Sequence, residues 1–396
     1  MIEVARAVAQ LGMTPVFQVH DSGYDHLVDE AGFRRLPGAR PFTAEQASKA
    51  IAFDQGRSLS HPFTEEVLRE RVAKERDAIR GLGAVAVVHG TNPTSPISTR
   101  AEQVPLVYPV PYVFSQAHLA SQQPLPFVSN RGVGQLLNRM LRGPVLKAMQ
   151  SQRLIPVSFR SVAQENGVTL QGLLDIVHAD FTLLTCLPEE LKGVALPPGT
   201  VRVGPIFAHL ESRLPDQVLE LAALDTPLVY CAFGSSGTPA LTKRALRALG
   251  DAPVKVIAPV KQYLTEQQIA RLPQNIHVTD LLPAHLLGGV IDAAVLHGGQ
   301  GTVQTACATG VPFIGVGLSA EQRWNVEVWA RRGNAVSLTS GDFRGRALPF
   351  HRALRHILTD PDVAATARRV AQEHEGEDGA RESALAIARL VEHGSL

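Results

Sequence analysis

Ala293-Ala294-Val295-Leu296-His297-Gly298-Gly299-Gln300-Gly301-Thr302, then Val303 to Thr309, Gly310, and Val311-Pro312-Phe313-Ile314-Gly315-Val316 decide how this chain folds. The apolar run before His297 reads as a short buried strand, and Val303 to Thr309 is compatible with a helix. Gly310 supplies a helix stop, because glycine enters the left-handed region cheaply. Val311 to Val316 reads as a second buried strand, with its proline tolerated at the strand's start. A loop carrying Glu321-Gln322, a helix ending at Gly333 and a third strand, Ala335 to Leu338, follow. The succession strand, glycine loop, helix, strand, helix, strand predicts a doubly wound parallel α/β sheet.

The glycine loop joins a strand's carboxyl end to a helix's amino end. There the first N–H groups lack partners, and the helix carries about half a positive charge. Glycines let the backbone approach a phosphate closely, Thr302 can cap the helix or donate to a phosphate oxygen, and His297 can add a ring N–H. A tight turn with an ordinary cap would look the same, and for the glycines alone both readings stand. Glu321-Gln322 lies after the next strand, again at a carboxyl end, where such sheets bind ligands. A carboxylate beside an amide suits sugar hydroxyls, which need an acceptor and a mixed partner. Together the two loops suggest a nucleotide sugar.

His297-Gly298-Gly299-Gln300-Gly301-Thr302, the short helical run, Gly310-Val311-Pro312, and Glu321-Gln322 with Asn325 resemble the donor signature of the family 1 glycosyltransferases. That family includes the UDP-glycosyltransferases and the bacterial macrolide and antibiotic glycosyltransferases. The resemblance implies the GT-B fold, two Rossmann-like doubly wound domains facing across a cleft. It implies inverting sugar transfer without metal or cofactor. It implies that His297, Gly299, Gln300, Gly301 and Thr302 hold the diphosphate, that Glu321 and Gln322 hold the sugar, and that main-chain groups of Leu281-Leu282-Pro283 meet the base. The chain departs from the family at three points: Glu321 replaces the usual Asp, the acidic ribose-binding position is Thr305, and the base-flanking aromatic position falls near Leu281.

At 396 residues the chain suits two domains. Its 45% hydrophobic content is that of a soluble globular protein, and a formal charge of +1 leaves no global field to draw nucleic acid. Cys186, Cys231 and Cys307 sit singly in apolar runs with no CxxC spacing, as small buried residues in a reducing compartment. Neither a signal-peptide pattern nor an apolar run of spanning length is read, so a cytoplasmic protein is expected. No HxxxH or CxxC in a site context suggests a metal, and there is no Gly-x-Ser-x-Gly elbow and no P-loop.

The expected domains are an acceptor domain at 1–205, a linker at 206–226, a nucleotide-sugar domain at 227–378, and a last helix at 379–396 that the resemblance returns to the first domain. In the first domain, helices are expected at Ile2 to Leu11, Asp21 to Gly32, Glu65 to Gly81, Pro96 to Val104 and Leu170 to Ala179. Strands are expected at Pro15 to Val19, Ala84 to His89, Pro105 to Val110 and Phe181 to Leu187. The second domain opens on a strand, Pro227 to Phe233. Gly234-Ser235-Ser236-Gly237-Thr238 follows it, either a bland turn or a second small-residue loop whose serines reach the diphosphate.

The chain begins on a helix. The resembling family places a strand and a Gly-His loop before that helix, and that histidine is commonly the catalytic base. Either the true start lies upstream, or the fold copes without that loop. An inverting transfer needs a proton acceptor. His20 and His89, each after a strand, are the candidates, and strand-end histidines without chemistry are the plain alternative.

Gln103 to Gln164 contains no Asp or Glu, yet carries several arginines among apolar residues. Leu136-Leu137, Met140-Leu141 and Val145-Leu146 form an apolar helix stripe, expected to break near Gly143-Pro144. Three readings stay open: a docked helix with solvated arginines, an acceptor pocket with Leu137 and Met140 on its wall, and an anionic membrane surface. The expected partners are thus a UDP- or TDP-sugar and a small, apolar, hydroxylated acceptor. The rival readings are a non-catalytic nucleotide-sugar-binding partner protein and a nucleotide-sugar epimerase on the same fold.

Overall fold

The computed structural model describes residues 1–20, 25–54, 61–121, 132–208, 213–234 and 236–394. It divides into two compact units. The first comprises Met1–Pro124, Arg139–Ile206 and Asp378–Leu396; the second comprises Leu125–Asn138 and Phe207–Glu377.

The first unit carries two parallel sheets. β1 (Val16–Val19) pairs with β2 (Arg34–Pro37). β3 (Val87–Val88), β4 (Leu106–Val110), β5 (Phe181–Leu184) and β6 (Thr200–Arg202) follow one another in a second sheet. β4 is nearly all buried, as a strand covered on both faces must be. β2 has no apolar pattern and is mostly exposed, so it exists through its ladder with β1 and had no signal of its own in the sequence. The last helix, Gly379–His393, packs on the first, Ile2–Gln10, and Ala384, Ile387 and Leu390 share a core with Val4, Val8, Val107 and Leu183. Gly379 donates its N–H to the Pro205 carbonyl at 2.9 Å, so the helix is seated where the chain leaves the sheet.

The second unit holds six parallel strands: β7 (Leu228–Ala232), β8 (Lys255–Ala258), β9 (Ile276–Val278), β10 (Ala293–Leu296), β11 (Phe313–Val316) and β12 (Ala335–Leu338). Their spatial order is β12-β11-β10-β7-β8-β9. Strand order therefore reverses between β7 and β10, and a crevice opens at the carboxyl ends there. β7, β10 and β11 are buried throughout, which explains their uninterrupted apolar sequences.

Several expectations are corrected. Only Val87–Val88 of the Ala84 to His89 run is laddered. The helix over Leu170 to Ala179 is a single 3₁₀ turn, Leu173–Ile176, because Gly172 is extended and lies against the Gln150 backbone. The helix Val133–Met149 runs through Gly143-Pro144 without a break. Pro144 is exposed, so the carbonyl it leaves unbonded can turn to water. Glu321-Gln322 is not in a loop but in the first turn of the helix Ala320–Arg332, where the Ser319 hydroxyl accepts the Gln322 N–H at 3.2 Å. Of the expected helix at Asp21 to Gly32, residues 21–24 lie outside the described residues; the rest is helical over Asp25–Glu30. The helices Ala44–Asp54, Val157–Glu165 and Leu348–Thr359 were not anticipated. Among the described residues no helix is long and apolar enough to cross a membrane.

Two glycines test this packing in opposite directions. A Cβ on Gly379 would lie 2.5 Å from the Pro205 carbonyl oxygen, which is backbone and cannot swing away. Gly81 sits in the helix Glu65–Leu82 with open space at its Cβ position. Gly379→Ala should destabilise the first unit by more than about 1 kcal/mol. Gly81→Ala should stabilise it by about 0.5–1 kcal/mol. Urea unfolding of both variants checks the pair, and equal midpoints would contradict the seating of the last helix.

Candidate functional site

The strand-order reversal brings two loops side by side. Leu296 of β10 is registered with Ala232 of β7, so the residues just beyond them are neighbours. His297 follows Leu296, and its ring fills the space between the two backbones. A Cβ on Gly234 would lie 2.8 Å from the His297 Cε1, and one on Gly299 would strike Nε2. Gly298 adopts φ +86°, and a Cβ there would lie 2.7 Å from both the Gln322 carbonyl and Val326. These three glycines are thus required by packing around the ring and the following helix. Gly301 differs: nothing stands within 4 Å of its Cβ position.

His297 is 7% exposed. Burial holds its pKa below the ordinary value, against a smaller opposing pull from the Ala232 carbonyl. The ring is therefore neutral near pH 7. Its Nδ1 is buried with no hydrogen-bond partner among the described residues.

The helix Gln300–Ala308 starts beside the ring, with Gly299 as an N-cap that offers no side chain. Val303 N–H bonds to the Gly299 carbonyl at 3.1 Å. The Gln300 N–H is taken by the Glu321 carboxylate at 3.2 Å. The N–H groups of Gly301 and Thr302 have no partner among the described residues. The Thr302 hydroxyl donates to the Gly299 carbonyl at 2.8 Å, so its proton is turned back into the helix rather than outward.

Glu321 and Gln322 have separate surroundings. The Glu321 carboxylate sits on the amino end of the helix Gln300–Ala308 and also accepts from the Asn325 amide. Gln322 is buried: its Oε1 accepts the Leu318 N–H at 3.0 Å, and its amide donates one N–H to the Ser236 hydroxyl at 3.0 Å. It ties the loop after β7 to the loop after β11. Ser235 lies outside the described residues. Leu282 is buried, which leaves only its backbone to a ligand, while Leu281 is exposed.

Two residues here have contacts that the sequence did not assign: Asn325, quoted only as part of the signature, and Tyr263. Asn325 donates to the Gly298 carbonyl at 2.9 Å as well as to Glu321, and so pins the glycine loop to the next helix. It stands one turn beyond Glu321 on that helix, so the two side chains share a face. The Tyr263 hydroxyl donates to the Gly234 carbonyl and accepts the Gly237 N–H at 3.1 Å, clamping the loop after β7. No local motif marks it.

The candidate bases lie in the first unit. His20 is fully engaged: its Nδ1 accepts the Ala39 N–H at 3.1 Å, so Nε2 carries the proton and donates to Glu75 at 2.9 Å. Glu75 is buried and also accepts from Asn92 at 2.9 Å, Thr94 and Ser98. Burial alone would raise its pKa, but these donors together hold the carboxyl below its ordinary value. Its position on a charged helix gave no hint of burial. His89 donates from Nδ1 to the Asn92 carbonyl at 3.1 Å, and its ring centroid lies 4.3 Å from that of Tyr108. Its Nε2 is a buried lone pair with no partner, and burial pushes the pKa down to about 4. Of the two histidines, only His89 keeps a nitrogen able to take a proton.

Leu137 and Met140 lie on the outer face of the helix Val133–Met149, Met140 being 65% exposed, while Asn138 is buried. The stripe's Leu136, Leu137, Met140 and Leu141 are exposed together with Val133. Arg142 instead turns inward and donates to the Leu119 carbonyl at 2.9 Å.

Residues 243–390 match the family model described as Erythromycin biosynthesis protein CIII-like, C-terminal domain. A PGL/p-HBAD biosynthesis glycosyltransferase of Mycobacterium tuberculosis is 26% identical over 362 residues, covering 88% of this chain and 81% of that protein. An oleandomycin glycosyltransferase of Streptomyces antibioticus is 28% identical over 160 residues, 40% of this chain and 37% of its own length. Among solved structures, the glycosyltransferase VinC in complex with dTDP superposes with a TM-score of 0.69 at 18% identity, covering 100% of this chain and 96% of its own. The spinosyn forosaminyltransferase SpnP superposes with a TM-score of 0.70 at 18% identity, covering 99% and 95%. The reversal of strand order that creates the crevice is thus part of an architecture shared along the whole chain: this chain has the GT-B fold, and its relatives over most of that length are glycosyltransferases, in keeping with its resemblance to family 1.

Proposed function

We propose that the chain is an inverting, metal-independent glycosyltransferase that takes a UDP- or TDP-sugar in its second unit and transfers the sugar to a hydroxyl of a small apolar acceptor. One observation carries this reading: two unpartnered N–H groups, of Gly301 and Thr302, at a helix amino end that lies at the strand-order reversal, under open space. A diphosphate fits there by charge and by hydrogen bonding. Transfer separates negative charge onto the departing diphosphate, and the helix end stabilises that charge as it develops. The neutral His297 supports the backbone that carries these donors. In this reading Glu321 accepts from sugar hydroxyls, and Gln322, which also fixes the loops, offers its second amide N–H. The dTDP held by VinC and the glycosyltransferase relatives support the donor class. The outward apolar stripe with Leu137 and Met140, in a segment without acidic residues, supports an apolar acceptor.

In this reading His89 is the base, because His20 has no free nitrogen. Its Nε2 is buried, so it would remove the acceptor hydroxyl proton, as the oxygen attacks the anomeric carbon, once the surrounding residues open to admit that hydroxyl.

UDP or TDP should raise the melting temperature in a chelator-treated sample. Gly301→Asp should abolish that shift by adding negative charge beside the phosphate, without a clash that would unfold the protein. Unchanged nucleotide affinity in that variant would refute the donor site.

Glu321→Ala should weaken the intact nucleotide sugar by about 1.5–3 kcal/mol. The free nucleotide should bind at least as tightly as before, since a carboxylate leaves the amino end of the phosphate-binding helix. Titration calorimetry with both ligands separates the cases, and equal losses would remove Glu321 from the sugar.

His89→Ala should slow transfer by about 10²–10⁴-fold with donor binding intact. A base works only when unprotonated, and a pKa of about 4 keeps His89 so at neutral pH. The rate should therefore stay level between about pH 6 and 8 and fall only as the pH approaches that pKa. A normal rate in His89→Ala would place the base elsewhere.

A further inference from the structure

A second anion-sized pocket lies in the second unit, away from the glycine loop. It has a volume of about 130 Å³ and is lined by Arg244 and Arg247 of the helix Pro239–Gly250, by Asp251 just beyond it, and by Arg344 from the segment after β12. Arg244 and Arg247 are three apart and so share a helix face. Phe343 and Ala347 form the floor and belong to the main core of this unit. Ala347 is held at φ +47°, and its N–H bonds to the Arg344 carbonyl at 3.0 Å, which fixes the turn that presents Arg344. The pocket sits toward the far end of the helix from Thr238, with Asp251 roughly 18 Å along the axis from Pro239.

The chemistry of the lining is unbalanced. None of the three guanidiniums has a hydrogen bond or an ion pair to a described residue. Nε of Arg244 is buried without an acceptor. Leaving such a donor dry and unpaired is costly, so an acceptor from outside would be bound favourably. Three guanidiniums face one carboxylate, leaving an excess of positive charge that matches a dianion. Guanidinium forks match the oxygen spacing of a phosphoryl group. Asp251 repels a bare anion but accepts from a hydroxyl carried by the same ligand.

We propose that this pocket is a second phosphoryl-binding site, distinct from the donor loop. It takes a hydroxyl-bearing phosphate, either inorganic phosphate through its own P–OH or the phosphate monoester of a hydroxylated molecule, between Arg244, Arg247 and Arg344.

The test uses the full chain carrying Gly301→Asp, so that the donor loop does not contribute. Inorganic phosphate and glucose 1-phosphate are titrated by calorimetry against sodium chloride of matched ionic strength. Both phosphates should bind where chloride does not, and Arg344→Gln or Arg244→Gln should weaken each about tenfold. Tighter binding of glucose 1-phosphate identifies a monoester as the ligand, and equal binding identifies free phosphate. Arg344 is exposed, so its variant should keep the parent circular dichroism and melting temperature. Phosphate binding unchanged in a folded Arg344→Gln protein, heat matched by chloride alone, or binding absent from the Gly301→Asp protein would each overturn the proposal.

Discussion

The wedge of His297 between two backbones is the constraint on which the site depends. The parallel ladder of β7 and β10 brings Ala232 and Leu296 level, and the ring that follows lies against Gly234 and Gly299 of the loops beyond them. Gly234 and Gly299 must therefore lack a Cβ, and the chain must turn sharply at Gly298. The helix Gln300–Ala308 then begins with a glycine cap, and two of its first N–H groups have no partner among the described residues. The exposed donors at this helix end are here the by-product of packing a neutral imidazole. Asn325, Gln322 and Tyr263 hold the surrounding carbonyls and loops, so the donors are set before any ligand arrives.

Unit one is organised by a buried carboxylate instead. Its two sheets do not ladder onto each other. Glu75 gathers His20 from beyond β1 and Asn92, Thr94 and Ser98 from beyond β3, and so joins by side chains what strands leave separate. A buried carboxylate survives only when its lone pairs are filled, and here they are. This cluster also divides the two histidines. It consumes His20 entirely and leaves His89 with one nitrogen free.

Residues with strong local signals were legible beforehand. The strands of the second unit announced themselves as apolar runs of strand length, and glycine, proline and capping residues marked the ends of most helices. The glycine loop and Glu321-Gln322 were recognisable as a set because their spacing follows from one strand-helix-strand repeat. The signal failed where tertiary contact overrode local chemistry. Arg34–Pro37 is a strand only because β1 lies beside it. Pro144 stays inside a helix because that turn is exposed.

By itself, then, the sequence determined the doubly wound α/β architecture and that a glycine loop joins β10 to the next helix at the strand-order reversal, because both depend on periodicity and on the backbone freedom of glycine, which are local. Tertiary structure alone decided what each polar group is free to do. Glu75, Asn325 and Tyr263 became structural partners, Gln322 gained loop contacts, and His89 rather than His20 kept a lone pair, because hydrogen-bond satisfaction depends on neighbours distant in the chain.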